Sequence, residues 1–239
     1  MRALVTGGAN GIGAAIARRL AGDGMDVTIC DRDKDAGAIL ADAIGGDFAC
    51  LDATDNDAVV SLIRSRPSFS VLVNNIGADQ HAFFTDLTPA DWRSLLAVNL
   101  ETTFAFTQAV LPSMQQAEYG RIVNIASEAG RLGSKGGSVY AAAKAGVIGF
   151  TRSIARENAR FGITANALLP GPVRTAMVEA AIAKIGSRLE TDMASLTLMK
   201  RLGEPQEVAV AAGFLASKEA SFVTGEALGV SGGMGCRAG

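Results

Sequence analysis

In the stretch ALVTGGANGIG, residues 3–13, a short apolar run breaks into a glycine turn that opens at once into a helical pattern. Glycines at such a turn let the chain bend tightly, approach a pyrophosphate, and pack the helix close to the sheet. The helix start adds free N–H donors and a dipole that favours phosphate. Gly7, Asn10, Gly11, Ile12 and Gly13 are therefore candidate dinucleotide-binding residues. A glycine pattern alone is weak, but this one has the strand–turn–helix context it needs.

Working outward, Asp31 follows the next apolar run, VTIC at 27–30, eighteen residues beyond Gly13. A carboxylate there accepts hydrogen bonds from the adenosine ribose and repels a 2′-phosphate, so NAD is expected ahead of NADP. Arg32 pulls the other way, because a guanidinium can pair with that phosphate. Further runs at 48–51, 71–74, 121–126, 163–169 and 227–230 read as strands, several apolar throughout as in a sheet buried on both faces. Helical patterns at 12–22, 34–44, 55–65, 89–115, 139–160 and 205–217 alternate with them, with Asp55, Thr88-Pro89 and Glu204-Pro205 as helix starts. The alternation predicts an α/β fold, a doubly wound, Rossmann-like parallel sheet of about seven strands with helices on both faces. No linker or repeat divides residues 1–239, so one dinucleotide-binding catalytic domain is expected. Residues 171–203 break the rhythm with two weak helical patterns and no strand. They read as a substrate lid or as an ordinary surface helical pair.

Ligands of open α/β sheets bind along the carboxyl edge of the strands. Asp52 and Ala53 fall there after the third strand, and Asn74-Asn75-Ile76-Gly77 after the fourth. Asp52 suits the adenine, while Asn74 and Gly77 suit the wall beside the adenosine. Asn74 also reads as a structural amide tying neighbouring strands.

The stretch NIASEAGRLGSKGGSVYAAAK, residues 124–144, holds Ser127, Tyr140 and Lys144. A tyrosine and a lysine four apart share one helix face, where the ammonium can lower the phenol pKa. A serine at the preceding strand end can hold a substrate oxygen beside that phenol. Such a trio can move a proton to or from an alcohol or carbonyl.

The glycine turn, Asn-Asn-Ile-Gly, Ser127, Tyr140-Ala-Ala-Ala-Lys144 and Pro170-Gly171 occur in one order over roughly residues 2–233. Together they closely resemble the short-chain dehydrogenase/reductase family of NAD(P) oxidoreductases. The resemblance implies a fourth catalytic residue, Asn99 in WRSLLAVNLETTF, which kinks its helix and holds a water linking Lys144 to solvent. It implies that Tyr140 and Lys144 also touch the cofactor, and that Pro170, Gly171, Val173 and Thr175 surround its carboxamide. Ile76, where the family more often has alanine, and Ser231 of SGG, where it more often has aspartate, depart from the pattern. The family's habit implies a homotetramer, or a homodimer, built through the long helices and the last strand. The runs SEAGRLGSKGGSVYAAAKAG and FVTGEALGVSGGM look most like the branch of 2-hydroxycyclohexanecarboxyl-CoA dehydrogenase and 3-oxoacyl-thioester reductases. A hydroxyacyl or oxoacyl thioester is the expected substrate. The alternatives are a free secondary alcohol, diol, sugar or cyclic alcohol, or a catalytically silent nucleotide sensor.

Composition narrows the partners to small molecules. Net charge is −2 with 5% aromatics, which argues against nucleic acid. Cys30, Cys50 and Cys236 lack metal-ligand spacing, and Cys30 and Cys50 read as buried thiols in a reducing cytoplasm. His81 is the one histidine, so no metal site is expected. No apolar stretch reaches membrane-spanning length. Substrate choice is expected in residues 78–84, 128–139 and the lid. Glu128 either faces that pocket or pairs at the surface, and Arg131, Lys135, Arg174, Lys184 and Arg188 form a basic rim suited to an anionic substrate.

Overall fold

The computed structural model describes residues 1–236. Seven strands form one parallel sheet: β1 (Arg2–Thr6), β2 (Asp26–Asp31), β3 (Asp47–Cys50), β4 (Val71–Asn74), β5 (Gly120–Ile125), β6 (Ile163–Pro170) and β7 (Ala227–Val230). Their order is β3-β2-β1-β4-β5-β6-β7, so the chain reverses direction across the sheet between β1 and β4. Crevices of open α/β sheets form at that reversal, beyond the carboxyl ends of the strands.

The helices are α1 (Gly11–Gly22), α2 (Lys34–Ile44), α3 (Asn56–Arg64), α4 (Pro89–Leu96), α5 (Thr102–Gln116), α6 (Ala129–Leu132), α7 (Ser138–Asn158), α8 (Ala176–Ile185), α9 (Ser187–Ser195) and α10 (Pro205–Ala216). Successive strand residues point to opposite faces, and β1 divides its side chains accordingly. Ala3 and Val5 join Ile16 and Leu20 of α1 and Ala212 and Leu215 of α10 in one core layer. Leu4 joins Leu62 of α3 and Phe106 and Val110 of α5 in the layer on the other side. Local chemistry sets the helix starts. Asp55 caps α3, and Thr88 forms a reciprocal capping box with Asp91 ahead of a proline in the first turn of α4. Glu204 and Glu207 do the same for α10.

Two local readings need correction, and one gains a detail. The helical pattern at 89–115 is interrupted by a π-turn at Ala97–Glu101, centred on Asn99. Cys30 is fully buried, but Cys50 is exposed, because β3 is a short edge strand with half-covered side chains. In the 171–203 segment a lone parallel bridge joins Val173 to Gly203, fastening both ends of the helical pair to each other. Among the described residues, no helix is long and apolar enough to cross a membrane.

Candidate active site

A cavity of about 740 Å³ opens along the carboxyl edge of the sheet at the reversal between β1 and β4. One end is the glycine turn. Gly7 and Gly11 have φ of 60° and 55°, the left-handed region that a side chain disfavours. Asn10 precedes α1 but does not cap it; its amide instead donates to Asp33 at 3.0 Å. The first-turn N–H groups of α1 are left for an outside acceptor, the donor set a pyrophosphate takes. Gly7, Asn10, Gly11 and Ile12 line the cavity. Gly13 does not: it packs behind the turn, where a β-carbon would lie 2.1 Å from the Gly7 carbonyl oxygen.

Asp31 stands at the end of β2, half-buried, accepting from the Ala9 N–H and the Asp33 N–H at 3.0 Å each. Arg32, Asp52 and Ala53 line the same end. Asp52 accepts the backbone and hydroxyl donors of Thr54, which hold its carboxyl below the usual range. Asn74 lies elsewhere. It is buried, with its amide donating to Asn124 at 2.8 Å and Thr107 at 3.1 Å, so it ties β4 to β5 and α5 and does not line the cavity. The wall residue is its neighbour Asn75, whose amide donates to the Gly7 carbonyl at 2.8 Å.

Near the other end Ser127 follows β5 and accepts from the Ala129 N–H at 3.1 Å, and Tyr140 lies in the first turn of α7, with its phenol close enough to Ser127 for that hydroxyl to act on its pKa. Burial pushes the Tyr140 phenol above its ordinary value; the Ser127 hydroxyl lowers it in part and the charge of Asp79 raises it further. This reverses the expectation that Lys144 makes the phenol acidic. The Lys144 ammonium is 5.8 Å from the Tyr140 ring centroid and donates to the Ile125 carbonyl at 2.9 Å. With 4% exposure, Lys144 is brought down to about 8 by desolvation, against the opposing pull of Asp79.

Asn99 is fully buried, its amide donating to the carbonyls of Ala78 and Leu95 and its oxygen accepting from the Ala78 N–H. Taking the Leu95 carbonyl accompanies the π-turn, a local widening common at functional sites. Gly77 sits between the two polar groups: a β-carbon there would meet the Asn99 oxygen at 2.9 Å and the Lys144 nitrogen at 3.2 Å. Ser127, Tyr140, Lys144 and Gly77 share the cavity, with Asn99 just behind. Pro170, Gly171, Val173 and Thr175 line its floor, and Thr175 caps α8.

Glu128 lines the cavity, as the first of its two expected courses had it, and its ion pair with Arg131 is buried on the glutamate's side rather than at the surface. It is buried beneath the C-terminal segment, accepting from Ser231 at 2.8 Å with Arg131 at 3.5 Å. Ser231 therefore replaces the commoner aspartate with a hydroxyl that donates to Oε1 of this carboxylate, while Oε2 is left to the Arg131 ion pair. The basic rim is largely neutralised: Arg174 pairs with Glu179, Glu190 and Glu204, and Arg188 with Asp192. None of the five rim residues lines the cavity. Its mouth is walled by Met177, Met193, Leu196 and Met234, with Asp79 as a nearby charge. His81 is exposed and outside it.

A family model described as enoyl-(acyl carrier protein) reductase matches residues 7–235. A solved structure of a short-chain dehydrogenase/reductase family protein superposes with a TM-score of 0.92 at 36% identity, covering 99% of this chain and 98% of that one. This chain belongs to the short-chain dehydrogenase/reductase family. The 3-oxoacyl-(acyl-carrier-protein) reductase of Vibrio cholerae is 37% identical over 97% of this chain and 96% of its own. The human (3R)-3-hydroxyacyl-CoA dehydrogenase is 36% identical over 97% and 94%. As a short-chain dehydrogenase/reductase, the protein is an NAD(P)-dependent oxidoreductase acting on CH–OH groups. The cradle fits such a nucleotide: uncapped N–H donors at α1, a carboxylate at the end of β2, and glycine where a side chain would fill the space.

Asn75 and Asp79 are among the wall residues that carry no individual role from sequence alone. Asn75 was legible in the Asn-Asn-Ile-Gly motif, where strand alternation puts only one asparagine toward the ligand. Asp79 had no sequence signal beyond lying in the variable segment.

Proposed function

We propose that this protein interconverts a 3-oxoacyl thioester and its 3-hydroxy form, using NAD in preference to NADP. The observation that carries the reaction is the Ser127–Tyr140 hydroxyl pair, set over a buried Lys144 in the cavity that begins at the glycine turn. A bound nicotinamide nucleotide supplies or takes up the hydride. Ser127 holds the substrate oxygen, and Tyr140 gives that oxygen its proton in reduction and takes it back in oxidation. The phenol's raised pKa keeps it protonated in the free protein, ready to donate. The buried Lys144 ammonium then stabilises the charge left on it, and Asn99 positions the Ala78 backbone beside this pair.

The thioester reading rests on the names of the relatives and on the apolar methionine wall, since the rim arginines are spent on carboxylates. Methionine surfaces adapt to acyl chains of differing shape. Helices α8 and α9 supply much of that wall and serve as its lid within one catalytic domain. The preference for NAD rests on Asp31. Assembly into a homotetramer is supported by exposed apolar groups: Phe104, tilted against the half-buried Phe150 across α5 and α7, Phe214 of α10, Phe222, and Leu228 on the edge strand β7. Three free thiols suit a cytoplasmic setting.

The test is reduction of acetoacetyl-CoA with NADH and NADPH in parallel, for the parent and Tyr140→Phe. Loss of about 10³-fold in kcat with unchanged NADH binding is expected for the variant. Near-parent turnover by Tyr140→Phe refutes the proton-transfer assignment. Turnover of free alcohols alone refutes the thioester.

A further inference from the structure

Helix α7 starts without a local cap. The residue before it is Gly137, which offers no side chain, yet its first-turn N–H groups need acceptors. Two of those donors are the backbone amides of Val139 and of Tyr140 itself. Both are accepted by the side-chain oxygen of Gln80, at 2.8 Å and 3.1 Å, from about sixty residues away in the chain. The other half of the same amide donates to the Ala82 carbonyl at 2.8 Å and to the Ser138 hydroxyl at 3.4 Å. Gln80 is buried and lies outside the cavity lining. Its segment, residues 77–82, is held a second time, where Asn99 brackets the Ala78 peptide.

We propose that Gln80 is a positioning residue for the reaction: its amide caps α7 in place of a local cap and so fixes Tyr140 against Ser127. The proposal rests on Tyr140 being the proton-transfer group. Because the capped N–H belongs to Tyr140, any slackening of the cap moves the phenol directly. A short misplacement of a reacting group is costly in rate while leaving binding alone. The amide's neutrality also matters. A carboxylate would cap the helix at least as well and would suit its dipole. It would also add a second negative charge near the phenol, which already faces Asp79 from the same loop, Lys144 from its own helix and Ser127 from the end of β5. Glutamine provides the acceptor without the charge.

The test uses Gln80→Met, which keeps the bulk and loses the acceptor, and Gln80→Glu, which keeps the acceptor and adds a charge. Acetoacetyl-CoA reduction gives kcat and KM, and fluorescence titration gives NADH affinity. Ultraviolet difference titration follows the Tyr140 phenol, with Tyr140→Phe supplying the background of Tyr119, the only other tyrosine. Gln80→Met is expected to lose about tenfold in kcat with NADH affinity unchanged within about twofold. Gln80→Glu is expected to keep reductive turnover within a few-fold of the parent at neutral pH and to hold it to higher pH, with its pH profile and its phenol titration both moved upward. Parent-like kcat in Gln80→Met overturns the proposal. So does a phenol titration in Gln80→Glu that superposes on the parent's, a readout that needs no turnover. Equal impairment of both variants at every pH, with a lowered Tm, makes the amide a structural cap only and also overturns it. Failure of the site reading is separate, because it shows as turnover surviving in Tyr140→Phe.

Discussion

Lys144 carries a charge in a place that resists it, and the cost of doing so should be measurable as stability. Its ordinary value of 10.5 falls to about 8 in the folded protein, and that drop corresponds to about 3 kcal/mol. The folded chain gives up this proton near pH 8 while the unfolded chain keeps it to about 10.5, so between those values the unfolded state binds more protons. Stability from this group therefore rises with pH across that window, and below it the full penalty stands. Lys144→Met keeps the packed stem and removes the charge. Urea unfolding of both proteins from about pH 7 to about pH 10 should show the parent gaining about 2.5 kcal/mol on the variant, with the onset of tyrosine ionisation near pH 10 common to both proteins. Every other titration cancels in that difference. Asp79→Asn provides the control, since losing its charge should start the rise at lower pH. A parent–variant difference that stays flat across the window would refute the picture of a buried ammonium. The same variant should be catalytically dead, making Lys144 a site where stability has been given up for chemistry.

Gly13→Ala should lower the urea midpoint by the equivalent of about 2 kcal/mol or more and weaken NADH binding in a fluorescence titration, because its β-carbon would lie 2.1 Å from the Gly7 carbonyl. Glu128→Ala strips Ser231 of its acceptor and Arg131 of its partner, and should cost about 1–3 kcal/mol in the same unfolding assay. Asp31→Ser should move the ratio of NADPH to NADH affinity upward by about tenfold; an unchanged ratio would remove Asp31 as the selector.

The architecture was readable because its signals are local. A glycine turn between an apolar run and a helical pattern, repeated alternation, and caps such as Thr88 and Asp55 each need only a few neighbouring residues. What escaped needs distant ones. Glu128 is buried by a tail about a hundred residues later in the chain, so no local pattern distinguishes it from a surface glutamate. Asn74 and Asn75 look equivalent in sequence, and only the side of β4 on which each falls separates a strand tie from a cavity wall. The Tyr140–Lys144 spacing correctly places two groups on one helix face. It does not report that the lysine bends toward the Ile125 carbonyl, nor that burial dominates the phenol. Cys50 ended an apolar run like Cys30, but lies on the edge strand.

The amide of Asn74 is the first link of a buried polar thread. Asn124, which accepts from it, donates in turn to Thr151 of α7 at 2.8 Å, and Thr151 donates to the Val147 carbonyl one turn back. The thread indexes α7 axially against β5 and β4, as a key indexes a shaft. Helix α7 carries Tyr140 and Lys144, and β5 leads to Ser127, so their relative height is set well below the cavity. Residues 128–137 bulge out above that lock and return to it. On the proposed reading, the part of that bulge beyond the buried Glu128 and the close-packed Gly130, together with the α8–α9 pair, can diverge in length and composition while Ser127, Tyr140 and Lys144 stay in register. The selecting part is then exchangeable without retiming the reacting part.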